Sequence, residues 1–185
     1  MSTIHNAIHA GQIREVKIFI ESGVDIHHIG DWAKTPLEHA VEVGNLEIVK
    51  ILLDAGVDIY FGVGSTPFQD AIRILRIDIM SAFIDAGIDL NYELEDGSTF
   101  LISAILSHNL NIVKFLVEKG ADINVVRADG KCALMCAAIW GGLDIFNYLF
   151  LLSSLEVRKQ VKKEMTDNLI VPESINKQLS EEILF

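Results

Sequence analysis

Hydrophobic and polar residues follow each other along this chain in short blocks of helical period. In residues 46–53 apolar side chains fall at i, i+2, i+3, i+6 and i+7, which places Val49 and Leu52 on the buried face of an amphipathic helix. An earlier helix is predicted to begin at Thr35, because a hydroxyl caps a first turn and the proline that follows suits its first position. Gly44 and Gly56 end the two helices. The block therefore predicts a helix, a turn and a second helix.

The same block recurs along the chain. A Gly-x-Asp motif occupies residues 23–25, 56–58, 87–89 and 120–122, at intervals of 33, 31 and 33 residues. The six residues that begin at Thr35 and end at an alanine recur from Thr66, from Thr99 and, in degraded form, from Cys132. Because two separate motifs agree on one period, the chain is predicted to be an array of repeats.

This period and its hexapeptide resemble the ankyrin repeat, over about residues 1–153. The resemblance implies an all-α solenoid of stacked helix-turn-helix pairs with short β-hairpin fingers. Five repeats are expected, at about residues 1–29, 30–60, 61–93, 94–126 and 127–153. Residues 154–185 are expected to form a helical C-terminal cap or tail, either packed on the last repeat or binding a partner.

The sequence departs from the family pattern at several positions. The histidine that usually follows Thr-Pro-Leu is replaced, so we expect weaker coupling between adjacent loops; the replacements are Glu38, Gln69, Ile102 and Met135. The glycine between paired helices is replaced by Leu75 and by His108, where a positive φ would carry strain. The glycine before the hexapeptide is replaced by Ala33, so we expect that turn to be distorted. The third repeat has a finger two residues short, and we expect it to be irregular.

Charge narrows the class of partner. The chain carries a net charge of −11, and residues 1–153 hold 10 Lys+Arg against 20 Asp+Glu. Such a surface disfavours nucleic acid and attracts a basic protein. No apolar run is long enough to predict a membrane span, and no signal peptide is apparent. We expect a cytoplasmic monomer, or one delivered to a host cytosol if the protein is an effector.

Residues suited to catalysis or metal binding are few. Cys132 and Cys136 lie one helical turn apart and are expected to be buried thiols rather than a metal site or a disulfide. His5 and His9 share the same spacing but lack a nearby third ligand. The common phosphate, zinc and nucleophile-elbow motifs are absent. No catalytic residue, metal or cofactor is predicted, and the distant alternative is an enzyme fragment whose site lies in residues 154–185.

Partner-facing positions follow from the resemblance, which places them on the finger tips and on the exposed side of each first helix. Both tryptophans fall in this set, and tryptophan is enriched among binding hot spots. The alternative for each tryptophan is that it only covers a gap between a finger and a helix. The candidate partner-binding residues are Asp31, Trp32, Lys34, Glu42, Val43, Val63, Arg73, Ile74, Glu95, Asp96, Leu106, Asp129, Lys131, Ile139 and Trp140.

The predicted function is that of a protein-interaction module, without catalysis, that binds a partner through its concave surface. By resemblance, such modules serve as adaptors, as inhibitors and as effectors of intracellular bacteria. The alternative is an immunity protein, antitoxin or inhibitor that masks a basic enzyme, since the acidic repeats would attract one.

Overall fold

The fold is all-α, as the period predicts. The structure is a computed structural model that describes residues 3–30, 32–127 and 129–168, together with residues 175 and 177; Asp31 of the candidate set lies outside them. The first half contains α1 (Ile4–His9), α2 (Ile13–Glu21), α3 (Pro36–Val43), α4 (Leu46–Asp54), α5 (Pro67–Arg73) and α6 (Ile77–Asp85). The second contains α7 (Phe100–Leu106), α8 (Leu110–Glu118), α9 (Ala133–Cys136), a π-helix (Ala137–Gly141), α10 (Leu143–Leu152) and α11 (Leu155–Asn168).

The chain divides into two compact units, residues 1–89 and residues 90–185. In the first unit α1, α3 and α5 pack side by side as one layer, and α2, α4 and α6 form the second. Alanines at the close contacts, Ala40 and Ala71, are fully buried and let the short helices approach. Phe68 and Phe83 fill the space between the layers in an edge-to-face contact of 5.6 Å between ring centroids.

The second unit repeats the arrangement and adds a terminal helix. α7 packs on α9 and the π-helix, α8 packs on α10, and α11 packs on α9. The apolar stripe of α11 is buried, with Val157, Val161 and Met165 all inside. Gln160 also donates from Nε2 to the carbonyl oxygen of Gly130 at 3.2 Å. The part of the C-terminal segment up to Met165 therefore covers the last repeat.

Polar caps define where the first helices begin. The Thr35 hydroxyl accepts the N–H of Glu38 at 3.2 Å, while the Glu38 carboxylate accepts the N–H of Thr35 at 2.7 Å. Thr66 and Gln69 form the same reciprocal capping box in the third repeat. Each box satisfies two N–H groups that a helix start would otherwise leave unpaired.

Glu38 also corrects the expectation of weak coupling in the second repeat. Its second oxygen, Oε1, accepts the N–H of Val63 at 2.7 Å, from the finger of the following repeat. Glu38 is 1% exposed and Val63 is exposed, so this bond is partly shielded from water. The replacement of the family histidine thus rebuilds a link between adjacent repeats through a carboxylate.

Among the described residues, three that are not glycine adopt a positive φ, and for two of them, Leu75 and His108, the missing glycines predict it. Leu75 and His108 have φ of 58° and 54° at the turns between paired helices, where Gly44 has 75° in the second repeat. Ala33 has φ of 53° in the second finger. A side chain in this region costs about 1–2 kcal/mol, so these turns store strain that the glycine turns avoid.

The most irregular helix lies in the fifth repeat rather than the third. There the first helix continues from α9 into the π-helix, and the positive φ falls one residue later, at Gly142 with 83°. Gly141 is buried in the π-helix, and an added Cβ would lie 2.9 Å from Cγ2 of Ile105. The third repeat departs at its finger instead, where the N–H of Phe61 is donated to Oδ1 of Asp58.

A ladder of side chains joins successive repeats beside the Gly-x-Asp motifs. In the first unit, the Tyr60 hydroxyl accepts the N–H of Asp89 at 2.8 Å. In the second, Oδ1 of Asn91 accepts the N–H of Asp122 at 2.7 Å. Asn124 repeats the contact with the N–H of Ser154. The backbone N–H at the recurring Asp position therefore joins successive repeats at Asp89 and Asp122.

Candidate functional site

The candidate residues fall into two groups, one on each unit. We call the first the Trp32 group; its described members are Trp32, Lys34, Glu42, Val43, Val63, Arg73 and Ile74. We call the second the Trp140 group; its members are Glu95, Asp96, Leu106, Asp129, Lys131, Ile139 and Trp140. Because the groups belong to different units, each is described by itself.

Trp32 is held on one side and open on the other. Its side chain is 43% exposed. The edge-to-face contact with His39 brings the ring centroids to 4.1 Å, and the His9 ring lies at 5.0 Å. Trp32 therefore covers part of the finger-to-helix gap and still presents a large, fixed apolar surface.

Three histidines meet beneath Trp32. His5 stacks on His39 at 5.7 Å between ring centroids, and His9 lies at 5.8 Å from His39. His39 is 3% exposed, and its Nδ1 has no hydrogen-bond partner among the described residues. Burial, followed by the nearby His5 and His9, lowers the pKa of His39 to about 4 from the usual 6.5.

This cluster does not form a metal site. Its rings lie nearly parallel, with interplanar angles of 21° and 31°, instead of converging on one point with their nitrogens. Within the ranges the structure describes, no three His, Cys, Asp or Glu side chains are arranged to hold a metal ion. The cluster serves as a support for Trp32.

The other described members of the Trp32 group are charged or aliphatic. Lys34 and Glu42 form an ion pair of 3.6 Å between the finger and α3. Arg73 is exposed and its Nη2 donates to the buried carboxylate of Asp70 at 2.9 Å. The apolar members are exposed or half-buried; they are Val43, Val63 and Ile74.

The Trp140 group combines exposed apolar side chains with an unusual helix. Trp140 and Ile139 lie in the π-helix, which packs on α7. Trp140 is 43% exposed and Leu106, at the end of α7, is 50% exposed. Single-turn π-helices occur often at functional sites because they redirect side chains, and here one carries both apolar candidates of the last repeat.

The fingers of the second unit carry fixed negative charge. The hydroxyl and the N–H of Ser98 donate to Asp96, and these bonds hold the pKa of its carboxyl below the usual value. The N–H of Lys131 does the same for the pKa of Asp129. Arg127 partly offsets this charge, 3.5 Å from the Asp129 carboxylate. Glu95 is exposed, so the rim of this group remains acidic at neutral pH.

The two thiols are unsuited to chemistry. Cys132 and Cys136 are buried and unpaired. Burial raises the pKa of both thiols, and that of Cys136 to about 11. Since the thiolate is the reactive form, these residues act as small core side chains, as the sequence predicts.

Sequence reasoning identified His5 and His9 but missed His39. The available signal was the position four residues after the capping threonine, which holds a polar residue in three successive repeats and is followed each time by alanine; the residues are His39, Asp70 and Ser103. His39 could be associated with His5 and His9 only once α1 and α3 were known to pack together.

The chain belongs to the ankyrin-repeat family. The family model for ankyrin repeats in three copies matches residues 1–63 and 69–162, and the paired helices described above agree with it. Ankyrin repeats are in general protein–protein interaction modules and are typically not catalytic. A search of curated proteins found no similar sequence. In the described part of the chain, no helix is both long and apolar enough to cross a bilayer.

Proposed function

We propose that this protein binds a partner protein through the Trp32 group and the Trp140 group, without catalysing a reaction. The observation that carries the proposal is the state of Trp32, which is anchored by His39 yet 43% exposed. A rigid aromatic surface loses little conformational entropy when it is buried by a partner. In our proposal the partner is a protein met in the cytosol, or in a host cytosol.

Two further features support the same conclusion. Exposed aliphatic residues belong to both groups, including Val43 in the Trp32 group and Leu106 in the Trp140 group. Acidic side chains on the fingers, such as Asp96 and Asp129, would form a polar rim around these apolar positions. An apolar centre with a polar rim is the usual anatomy of a protein interface.

The test is to replace each tryptophan by alanine and measure affinity for a partner captured from source lysate. We expect Trp32→Ala and Trp140→Ala each to weaken binding at least tenfold, since tryptophan hot spots are commonly worth about 2 kcal/mol or more. Leu151→Ala is the matched control, because Leu151 is 67% exposed but belongs to neither group. Isothermal calorimetry gives the affinity, and thermal unfolding checks that each variant is folded.

Unchanged affinity in both tryptophan variants would refute the proposal. Should Trp32→Ala prove unstable because His39 loses its contact, Val43→Asp tests the same surface, since this exposed valine at the end of α3 can take a charge without entering the core. A folded Val43→Asp variant that binds normally would count against the Trp32 group.

A second candidate function is inhibition of a basic enzyme by masking its surface. The net charge of −11 favours it, because complementary charge accelerates association. If this is correct, a tenfold rise in salt concentration should slow association strongly while dissociation changes little. A neutral adaptor would show an association rate nearly independent of salt.

A further inference from the structure

A pocket of about 380 Å³ opens in the first unit, next to the Trp32 group. It is lined by the first turn of α1, by α2, by the loop after α2 and by the second finger. Its volume lies in the lower part of the range for ligand sites. The walls are mainly apolar, supplied by Ile4, Phe19, Val24 and the indole of Trp32.

The polar lining of the pocket offers acceptors. Asp25 accepts the N–H of His27 with Oδ1 at 2.9 Å and forms no ion pair among the described residues. His5 is 5% exposed and its Nε2 lies 3.1 Å from the carbonyl oxygen of His28. A carbonyl oxygen can only accept a hydrogen bond, so Nε2 of His5 is the donor in this contact. Asp25 supplies the carboxylate of the pocket lining.

These groups select a positively charged donor. Among the described residues, no lysine or arginine lines the pocket, so a bound carboxylate would face Asp25 without a compensating cation. An ammonium or guanidinium group would instead satisfy the Asp25 carboxylate and lie against the indole of Trp32, a favourable cation–π partner. The surrounding charge acts in the same sense, since residues 1–89 hold 6 Lys+Arg and 13 Asp+Glu.

The first turn of a helix favours anions, and α1 contributes its first turn here. That preference is partly met within the protein, because the Thr3 hydroxyl accepts the N–H of Asn6 at 3.3 Å. With six residues, α1 is also short, so its dipole is a weaker attraction than the full charge of Asp25. The balance therefore favours a cation.

We propose that this pocket receives a lysine or arginine side chain presented by the partner protein. The aliphatic stem of such a side chain lies along the apolar walls while the charged head reaches Asp25, as long basic side chains commonly do. The inference rests on the proposed function, and it adds the chemistry of one anchor residue and the place where it binds.

The pocket can be tested without the partner. Acetyl-Gly-Arg-Gly-amide is titrated into the full chain labelled with nitrogen-15, and amide and indole shifts are followed by NMR. We expect saturable shifts at Val24, Asp25 and the Trp32 indole, with a dissociation constant of roughly millimolar size. The peptides containing citrulline, norleucine or glutamate in place of arginine should bind at least fivefold more weakly.

Asp25→Asn supplies the decisive variant. Asparagine retains the oxygen that accepts the His27 N–H, so the turn should persist while the charge is lost. Asp58→Asn is the matched control, because Asp58 accepts the N–H of Tyr60 in the same kind of turn at 2.9 Å but does not line the pocket. Arginine-peptide affinity should fall at least fivefold in Asp25→Asn and remain unchanged in Asp58→Asn.

Several outcomes would overturn the inference. Equal binding of the citrulline peptide, or equal losses in the two variants, would show that the pocket does not recognise charge. Stronger binding of the norleucine or the glutamate peptide would assign it to an apolar or an acidic side chain. An absence of shifts with the arginine peptide would also refute it, while leaving the partner-binding test of the tryptophan variants unaffected.

Discussion

Glu38 should be the polar residue whose loss most weakens the link between the second and third repeats. Its two carboxylate oxygens accept the N–H groups of Thr35 and Val63, each at 2.7 Å, in a site that is 1% exposed. Hydrogen bonds to a charged group contribute about 1.5–3 kcal/mol each. Glu38→Ala removes both bonds and is therefore expected to lower the free energy of unfolding by about 4 kcal/mol.

Glu38→Gln separates the two bonds. Gln69 shows that a glutamine oxygen can complete the capping box, since it accepts the N–H of Thr66 at 2.9 Å. In Glu38→Gln the amide oxygen can keep the Thr35 bond, and its NH₂ group then faces the N–H of Val63. We expect the free energy of unfolding to fall by about 2 kcal/mol, because the bond to Val63 is the one that is lost.

Urea unfolding followed by far-UV circular dichroism measures the loss. With a slope of about 2 kcal/mol per molar urea, the midpoint should fall by about 1 M in Glu38→Gln and about 2 M in Glu38→Ala. Amide exchange should accelerate at Val63 more than at Thr35. Glu42→Gln is the control on the same helix; its pair with Lys34 is partly exposed and should contribute less than about 1 kcal/mol.

Two results would refute this reasoning. A Glu38→Gln midpoint equal to that of the wild type would show that the carboxylate does not couple the repeats. A lower midpoint with unchanged exchange at Val63 would place the loss elsewhere, in the capping box alone.

Two other predictions concern pH and backbone strain. Below pH 6.5 His39 takes up a proton in the unfolded chain, whereas in the folded chain it does so only near pH 4. The free energy of unfolding should therefore fall by about 3 kcal/mol as the pH drops between these values, at about 1.4 kcal/mol per pKa unit. In His39→Asn the fall measured by urea unfolding should be smaller by that amount. His108→Gly should raise the free energy of unfolding by about 0.5–1 kcal/mol, because relief of strain at φ of 54° exceeds the entropy cost of glycine. Gly44→Ala should lower it, since the added Cβ would lie 2.5 Å from Nη1 of Arg76 at a φ of 75°.

Parallel stability–pH curves for the wild type and His39→Asn would contradict the first of these predictions, because acidic residues titrate in both proteins and only the histidine differs. Equal stability of His108→Gly and the wild type would contradict the second. Thermal unfolding of Gly44→Ala and His108→Gly should be measured side by side. Opposite changes in stability would assign the effect to backbone strain, whereas a loss in both variants would indicate that any substitution in this turn is harmful.

The helices, their order and their caps were predictable because they depend on local chemistry. Thr35 and Thr66 cap helices that begin at prolines, and the glycine positions predict where a positive φ is needed even when Leu75 occupies one. The coupling through Glu38 was not predictable in the same way. The resemblance to ankyrin repeats indicated only that a histidine was missing. The bond between Glu38 and Val63 joins residues 25 positions apart.

The candidate surface was partly accessible from sequence. The resemblance to ankyrin repeats implies that Trp32 and Trp140 occupy positions that face outward, and both are substantially exposed. The π-helix that carries Trp140 was not foreseen, because the last repeat has the same spacing between its helices as the others. Its conformation depends on packing, with Gly141 close against Ile105.

The sequence by itself determined the repeat, the all-α class and the acidic charge, because each depends on periodic local preference or on simple counting. Only the tertiary structure decided that His39 meets His5 and His9 beneath Trp32, and that Asp25 shares a pocket with the same indole. His5 and His9 are distant from His39 in the chain and become its neighbours when α1 and α3 pack together. The repeated motifs therefore encode the scaffold, while the candidate binding site depends on side-chain contacts that form only in the folded chain.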